Sequence, residues 1–237
     1  MRLFHLALSL LMLAGVSAQA GEKEIRQAFQ KSFPGMEIAS IGKTPYGGLY
    51  EVVADGQVVY ASADGKYLVL GNVIDLQSRQ NLTAARNAKL MEVKWSTLPL
   101  AKAIKEVKGN GSRKLAIFSD PDCPFCRKLE PELEKLNNVT IYTFLYPIEG
   151  LHPEAVQTSK KIWCESDRLK AWKGYMLRNE KPKSKGDCAN PVDEIVALGA
   201  KLKVSGTPTL ILENGQRVPG YVPADKLEQL LSAASRK

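Results

Sequence analysis

Two cysteines separated by two residues constrain this chain more than any other feature. They are Cys123 and Cys126, in the stretch Ser119-Asp120-Pro121-Asp122-Cys123-Pro124-Phe125-Cys126-Arg127. An apolar β-type run, Leu115 to Phe118, comes just before, and a helical pattern from Arg127 comes just after. The pair therefore sits where a strand turns into a helix. At a helix N-terminus, unpaired backbone N–H groups and the helix dipole favour negative charge. That favours the thiolate, the form of cysteine that attacks disulfides. A second cysteine one turn further in is placed to resolve the mixed disulfide, so the pattern points to reversible dithiol chemistry. Half of a zinc site and a structural disulfide are the other uses of such a pair.

The compartment bears on that choice. Met1-Arg2 gives a positive start, Leu3 to Val16 is mostly apolar, and Ala18-Gln19-Ala20 is an Ala-x-Ala pattern. This reads as a secretory signal peptide, residues 1–20, cleaved after Ala20. The apolar run is short for a membrane span, which needs about 20 apolar residues. Export to a periplasm is the expectation, and disulfides persist there. The remaining cysteines, Cys164 and Cys188, then become natural partners for a structural bridge. Closing a loop of about 25 residues is worth roughly 3.5 kcal/mol in the chain-entropy model. A structural zinc site usually shows two short ligand spacings, and only one close pair is present here, so spacing disfavours zinc.

Along the chain, 21–76 reads as a small α+β unit. Ile25, Phe29 and Phe33 recur at helical spacing until Pro34-Gly35. Short apolar runs come after them: Met36 to Ile41, Gly48 to Ala54, Gln57 to Ser62 and Lys66 to Leu70. Asp55-Gly56 and Asp64-Gly65 are the turn signals between them. So small a unit buries little core alone, and pairing with a second copy would cover a sheet edge. A helix over Leu82 to Trp95, within 77–98, reads either as a stiff linker or as a packed helix of the second domain.

Residues 99–237 mix strands and helices as an α/β domain does. Ile104 to Lys108 and Leu115 to Phe118 read as a hairpin around Asn110-Gly111. A helix over Cys123 to Leu136 carries Pro131, which predicts a kink. A strand over Val139 to Tyr146 comes next. Helices are expected over Pro153 to Cys164, Asp167 to Arg178, Pro191 to Leu202 and Ala224 to Ala234, with a strand over Thr209 to Leu212. The net charge of +8 has no basic motif interleaved with aromatics, so nucleic-acid binding is not indicated. Its densest patch, Lys181 to Lys185, reads as a solvated loop. His152 stands before Pro153 at a helix start, a cap or surface position, and is given no catalytic role.

From Ile104 onward the chain resembles a thioredoxin-fold domain with a helical insertion. The whole chain after the leader resembles the periplasmic disulfide isomerases of the DsbC type, with the DsbG type second. The matching stretches are Phe118-Ser119-Asp120 leading into the cysteines, Ile162-Trp163-Cys164, Ala197-Leu198-Gly199, Val204 to Pro208, and Val218 to Tyr221. Tyr60 to Lys66 and the strand on to Gly71 are similar to that family's cystatin-like dimerisation domain.

The resemblance implies roles. Cys123 would be the attacking thiolate and Cys126 the resolving cysteine. Pro208 would be a cis-proline facing them, with the Thr207 backbone holding extended substrate. Cys164 and Cys188 match the family's structural disulfide, which favours the DsbC type. It also implies a homodimer, a membrane thiol reductase of the DsbD type as partner, misfolded disulfide-containing exported proteins as substrates, and no cofactor. Two departures are visible. Pro124-Phe125 replaces the Gly-Tyr of the best-known isomerase, and Ile117 stands where thioredoxins carry a buried acid. A sulfenic-acid reductase, a net thiol oxidase and a thiol-independent holdase chaperone are the alternative readings.

Overall fold

The computed structural model describes residues 16–235, and the chain divides into two units between Met91 and Glu92. Most of the expected leader, residues 1–15, lies outside the described residues. No helix among the described residues is long and apolar enough to cross a membrane.

In the first unit, helix α1 (Val16–Ser32) is followed by four antiparallel strands in sequential order. They are β1 (Ile38–Lys43), β2 (Leu49–Ala54), β3 (Gln57–Ser62) and β4 (Leu68–Val69). Asp55 and Gly56 turn the β2–β3 hairpin with φ of 49° and 81°, the positive values that a tight two-residue hairpin requires. Ile25 and Phe29 of α1 bury against Ile41, Tyr50, Val52 and Ala61, which forms a one-sided core. The far side of the sheet is covered differently. Helix α2 (Leu82–Leu90) is capped by Asn81, whose side chain accepts the Ala84 N–H. It packs on β3 through a buried Tyr60–Thr83 hydroxyl pair at 2.5 Å, and Asn87 accepts the Val58 N–H at 2.9 Å. Arg86 pairs with Glu51 at 2.9 Å. The stretch read as a linker helix is therefore divided. Its helix stops at Leu90 and packs on the first sheet, whereas Val93 donates to Gly215 O at 2.9 Å in the second unit.

The second unit is a five-stranded sheet in the order β5-β7-β6-β8-β9. Its strands are β5 (Ile104–Lys108), β6 (Arg113–Ser119), β7 (Val139–Leu145), β8 (Thr209–Leu212) and β9 (Arg217–Pro219). β5 and β6 do not form the hairpin expected around Asn110-Gly111. β5 pairs antiparallel with β7, and β7 runs parallel to β6. Burial explains the order. Leu115 to Ser119 are buried without interruption, whereas β5 alternates, with Ile104 buried, Glu106 and Lys108 half-buried, and Lys105 and Val107 exposed. The continuously apolar strand takes the centre and the alternating one takes the edge.

Both faces of β6 are covered. Leu115 and Ile117 pack against Leu129 and Leu133 of helix α3 (Pro124–Glu134) and Leu227 and Leu231 of helix α7 (Ala224–Ala234). Ala116 and Phe118 face Phe144, Tyr146 and Ile195, the last from helix α6 (Val192–Lys201). Gly199 of α6 lets the Tyr146 ring approach, since a Cβ there would lie 2.1 Å from a ring carbon. The insertion consists of helices α4 (Ala155–Trp163) and α5 (Arg168–Arg178). It seats Ile162, Trp163, Trp172 and Met176 against Cys123 and Cys126. Helix α3 continues through Pro131 to Glu134.

Candidate functional site

β6 ends at Ser119, and the chain turns through Asp120 to Asp122 into α3. Cys123 occupies the N-cap position with extended backbone, and Pro124 takes the first helical position. Proline suits that place because its missing N–H would be unpaired there in any case. The turn thus presents the Cys123 sulfur to the first N–H groups of α3, as expected from a strand-to-helix Cys-x-x-Cys.

The two thiols are unlike. The Cys123 acidity is raised, with its pKa lowered to about 5. The Cys126 thiol beside it is the largest cause, and the Thr207 side chain and the N–H groups of Cys126 and Phe125 add to it. Burial opposes them but loses. Burial pushes the Cys126 thiol up, and the neighbouring Cys123 pushes it further. At neutral pH the pair therefore holds one thiolate, at Cys123, and one thiol, at Cys126. A thiolate of low pKa is abundant and also a good leaving group, the balance that exchange through a mixed disulfide needs.

Thr207 and Pro208 come to the same place. The Thr207–Pro208 peptide is cis, and the Cys123 thiol lies 3.3 Å from Thr207 O. Thr209 Oγ1 donates to Gly206 O at 2.7 Å and holds the loop at the start of β8. Phe125, between the cysteines, is 59% exposed, whereas Cys123 is buried, so an apolar ring stands at the surface beside the turn that holds the thiolate. Cys164 and Cys188 lie elsewhere. They are bonded to each other, with Cα atoms 5.7 Å apart. The bond ties the end of α4 to the irregular chain before α6. With that bond formed, neither Cys164 nor Cys188 is a free thiolate.

Three buried or half-buried polar residues at the site escape a sequence reading. Asp120 is fully buried and accepts the N–H groups of Asp122 at 2.8 Å and Ile148 at 2.7 Å. His152, read as a helix-cap or surface residue, is 2.9 Å from the same carboxylate through Nδ1. Glu130, one helical turn beyond Cys126 on the buried face of α3, accepts the Trp172 Nε1–H at 2.9 Å. Burial lifts its pKa to about 7. The buried acid missing at Ile117 is thus not the only one the site could have: Asp120 and Glu130 stand on either side of the pair. The available signal was spacing, since Glu130 lies four residues after Cys126 and falls in line with Leu129 and Leu133.

Comparison with known proteins shows the same division. The disulfide bond isomerase protein N-terminal domain model matches residues 16–84, and a thioredoxin-like domain model matches residues 100–235. The "Probable thiol:disulfide interchange protein DsbC" of Bordetella pertussis is 40% identical over 218 residues, covering 91% of this chain and 77% of the relative. The thiol:disulfide interchange protein DsbC of Escherichia coli K12 is 29% identical, covering 90% of this chain and 89% of the relative. Among solved structures, a disulfide interchange protein from Neisseria gonorrhoeae is 46% identical with a TM-score of 0.57. It covers 59% of this chain and 100% of that one.

Proposed function

We propose that this chain, which belongs to the DsbC family of thiol:disulfide interchange proteins, works as a disulfide isomerase with Cys123 attacking and Cys126 resolving. The observation that carries the assignment is the contrast between the two sulfurs: a thiol acidified to about pKa 5 at a helix N-cap, one turn from a buried thiol of raised pKa.

The Cys123 thiolate attacks one sulfur of an incorrect disulfide. A Cys123–substrate bond forms, the substrate S–S bond breaks, and the other substrate sulfur leaves as a thiolate. That thiolate attacks a second substrate disulfide, forming a new bond and displacing a different substrate thiolate. The displaced thiolate attacks the mixed disulfide at the substrate sulfur, forms the second new bond and releases the Cys123 thiolate unchanged. Where the substrate stalls, Cys126 loses its proton and attacks Cys123. The substrate then leaves with both thiols reduced, and the protein is left with a Cys123–Cys126 disulfide. The electrons come from thiols throughout, and no cofactor takes part. Returning that disulfide to thiols requires a reductant, which we assign to a membrane thiol reductase of the DsbD type. The Thr207 backbone and Pro208 hold extended substrate beside Cys123, and exposed Phe125 contributes an apolar contact.

The assignment extends to place and assembly. Cleavage of the leader after Ala20 would release the chain into the periplasm, where misfolded exported proteins with wrong disulfides are the substrates. The first unit is the dimerisation domain of a homodimer. Its support is the matched N-terminal family and an exposed apolar edge: Tyr67, Leu68, Val69 and Leu70, in and beside the two-residue edge strand β4. An exposed apolar edge strand invites pairing with another chain. Replacing Cys123 by Ala is expected to abolish refolding of a scrambled multi-disulfide protein. Isomerisation at the parent rate in that variant would reject the assignment.

A further inference from the structure

We infer that His152 is a positioning residue that lets a buried Asp120 brace both cysteines without opposing the Cys123 thiolate. The inference rests on the reading of Cys123 as the attacking group. It concerns what keeps that group ready.

Asp120 is the residue through which the loop and both sulfurs are connected. Its carbonyl accepts the Cys123 N–H at 3.2 Å, and its own N–H lies 3.4 Å from Cys126 Sγ. Its side chain is 0% exposed and braces the loop on two sides. One carboxylate oxygen takes the Asp122 N–H, and the other takes the Ile148 N–H from the segment after β7. A carboxylate is well suited to this work because it accepts several N–H bonds at once. It also has a cost. A buried charge needs a partner, and a like charge nearby disfavours a thiolate.

His152 resolves the conflict. Its Nδ1 lies 2.9 Å from Asp120 Oδ2, and its side chain is 22% exposed. It can therefore exchange a proton with solvent while its other side stays fixed. The hydrogen bond to Asp120 is the main reason its pKa is raised above 6.5, and the charges of Asp120, Cys123 and Asp122 add to that. Asp122 faces the imidazole from the loop, but its own carboxylate takes the Tyr175 hydroxyl of α5 at 2.5 Å. Arg127 of α3 in turn sits 5.2 Å from the Tyr175 ring centre. That leaves His152 as the cation held against the Asp120 carboxylate. The sign is set by the raised pKa. The imidazolium's contribution is fully present below about pH 6.5 and is lost as pH rises through the folded-state value.

The test is the pH dependence of Cys123 alkylation in the reduced protein, with the adduct mapped by mass. The parent chain should give half-maximal rate near pH 5. His152→Gln leaves Asp120 without its cation and should move that midpoint up by about one unit, with alkylation roughly tenfold slower on the rising limb. Adding Asp120→Asn to His152→Gln removes the carboxylate and should bring the midpoint back toward the parent value. A folded His152→Gln protein with an unmoved midpoint overturns the inference, as does a double variant that does not return. A parent midpoint near 9 instead counts against the role of Cys123 itself, so the two failures are distinguishable. If His152→Gln does not fold, imidazole titration by NMR decides, because the chain has only two histidines, His5 and His152. The His152 midpoint should fall when Cys123 is oxidised, and an unchanged midpoint overturns the inference.

Discussion

The two sheets of this protein bury apolar residues in different ways, and their chemistry differs accordingly. The first sheet builds its main core on one face, against α1, and leaves Tyr67, Leu68, Val69 and Leu70 exposed at its last strand. It contains no cysteine and no histidine. The second sheet covers both faces of β6 with helices, and the end of that strand carries the thiols. Full enclosure is what makes unusual titration attainable. Asp120, Cys126 and Glu130 are buried only because α3, α5 and the sheet close around them. A half-covered sheet offers surface for another chain, and a fully covered one offers an environment that shifts protons.

The largest expected effect is at Cys123. Cys123→Ala should remove all isomerisation while the first unit's assembly is untouched, as refolding assays and sedimentation together would show. Next comes the exposed edge. If the chain pairs through this edge as proposed, Val69→Lys with Leu70→Lys should give monomer by analytical ultracentrifugation, because charge on an edge strand blocks pairing. Cys123 alkylation should stay at the parent rate in that variant. A dimer that persists would place the interface elsewhere.

Stability effects are smaller. Replacing Cys164 and Cys188 together by Ala should lower unfolding free energy by about 3 kcal/mol in denaturant titration, since the bridge restricts the unfolded chain. Glu130→Gln measures what enclosure does to a buried acid. Glu130 has a folded pKa of about 7 against an ordinary 4.5, so the folded state holds the proton between those values and the unfolded state does not. Stability contributed by this group is therefore full below pH 4.5 and falls as pH rises toward 7, by about 3 kcal/mol at most. Glutamine keeps an acceptor for the Trp172 N–H and should flatten that slope, read from unfolding midpoints between pH 4.5 and 8.

Some of this architecture was legible in the sequence. β3, β8 and α7 lie where their patterns placed them, because clear apolar patterns were bounded by turn residues such as Asp55-Gly56 and Asn214-Gly215. The cysteine turn was legible because an apolar run, two cysteines and a helical pattern come together within about a dozen positions. The pairing of β5 was not. Asn110-Gly111 reports a local reversal, whereas the partner of β5 is decided by which strand needs covering on both faces, a property of the whole sheet. The acids at the site were hidden for another reason. Charged residues are exposed by default, and neither Asp120 nor Glu130 announces its burial. Their partners lie 32 and 42 positions away in sequence. The meaning of His152 depends on one such distant contact.

The enclosed turn offers one reactive sulfur, Cys123, to a substrate disulfide. Trapping the mixed disulfide shows which sulfur that is. Reduced Cys126→Ala protein, mixed with a scrambled multi-disulfide substrate and quenched with acid, should accumulate a mixed disulfide that peptide mapping assigns to Cys123. No adduct, or an adduct at Cys164 or Cys188, would contradict the account.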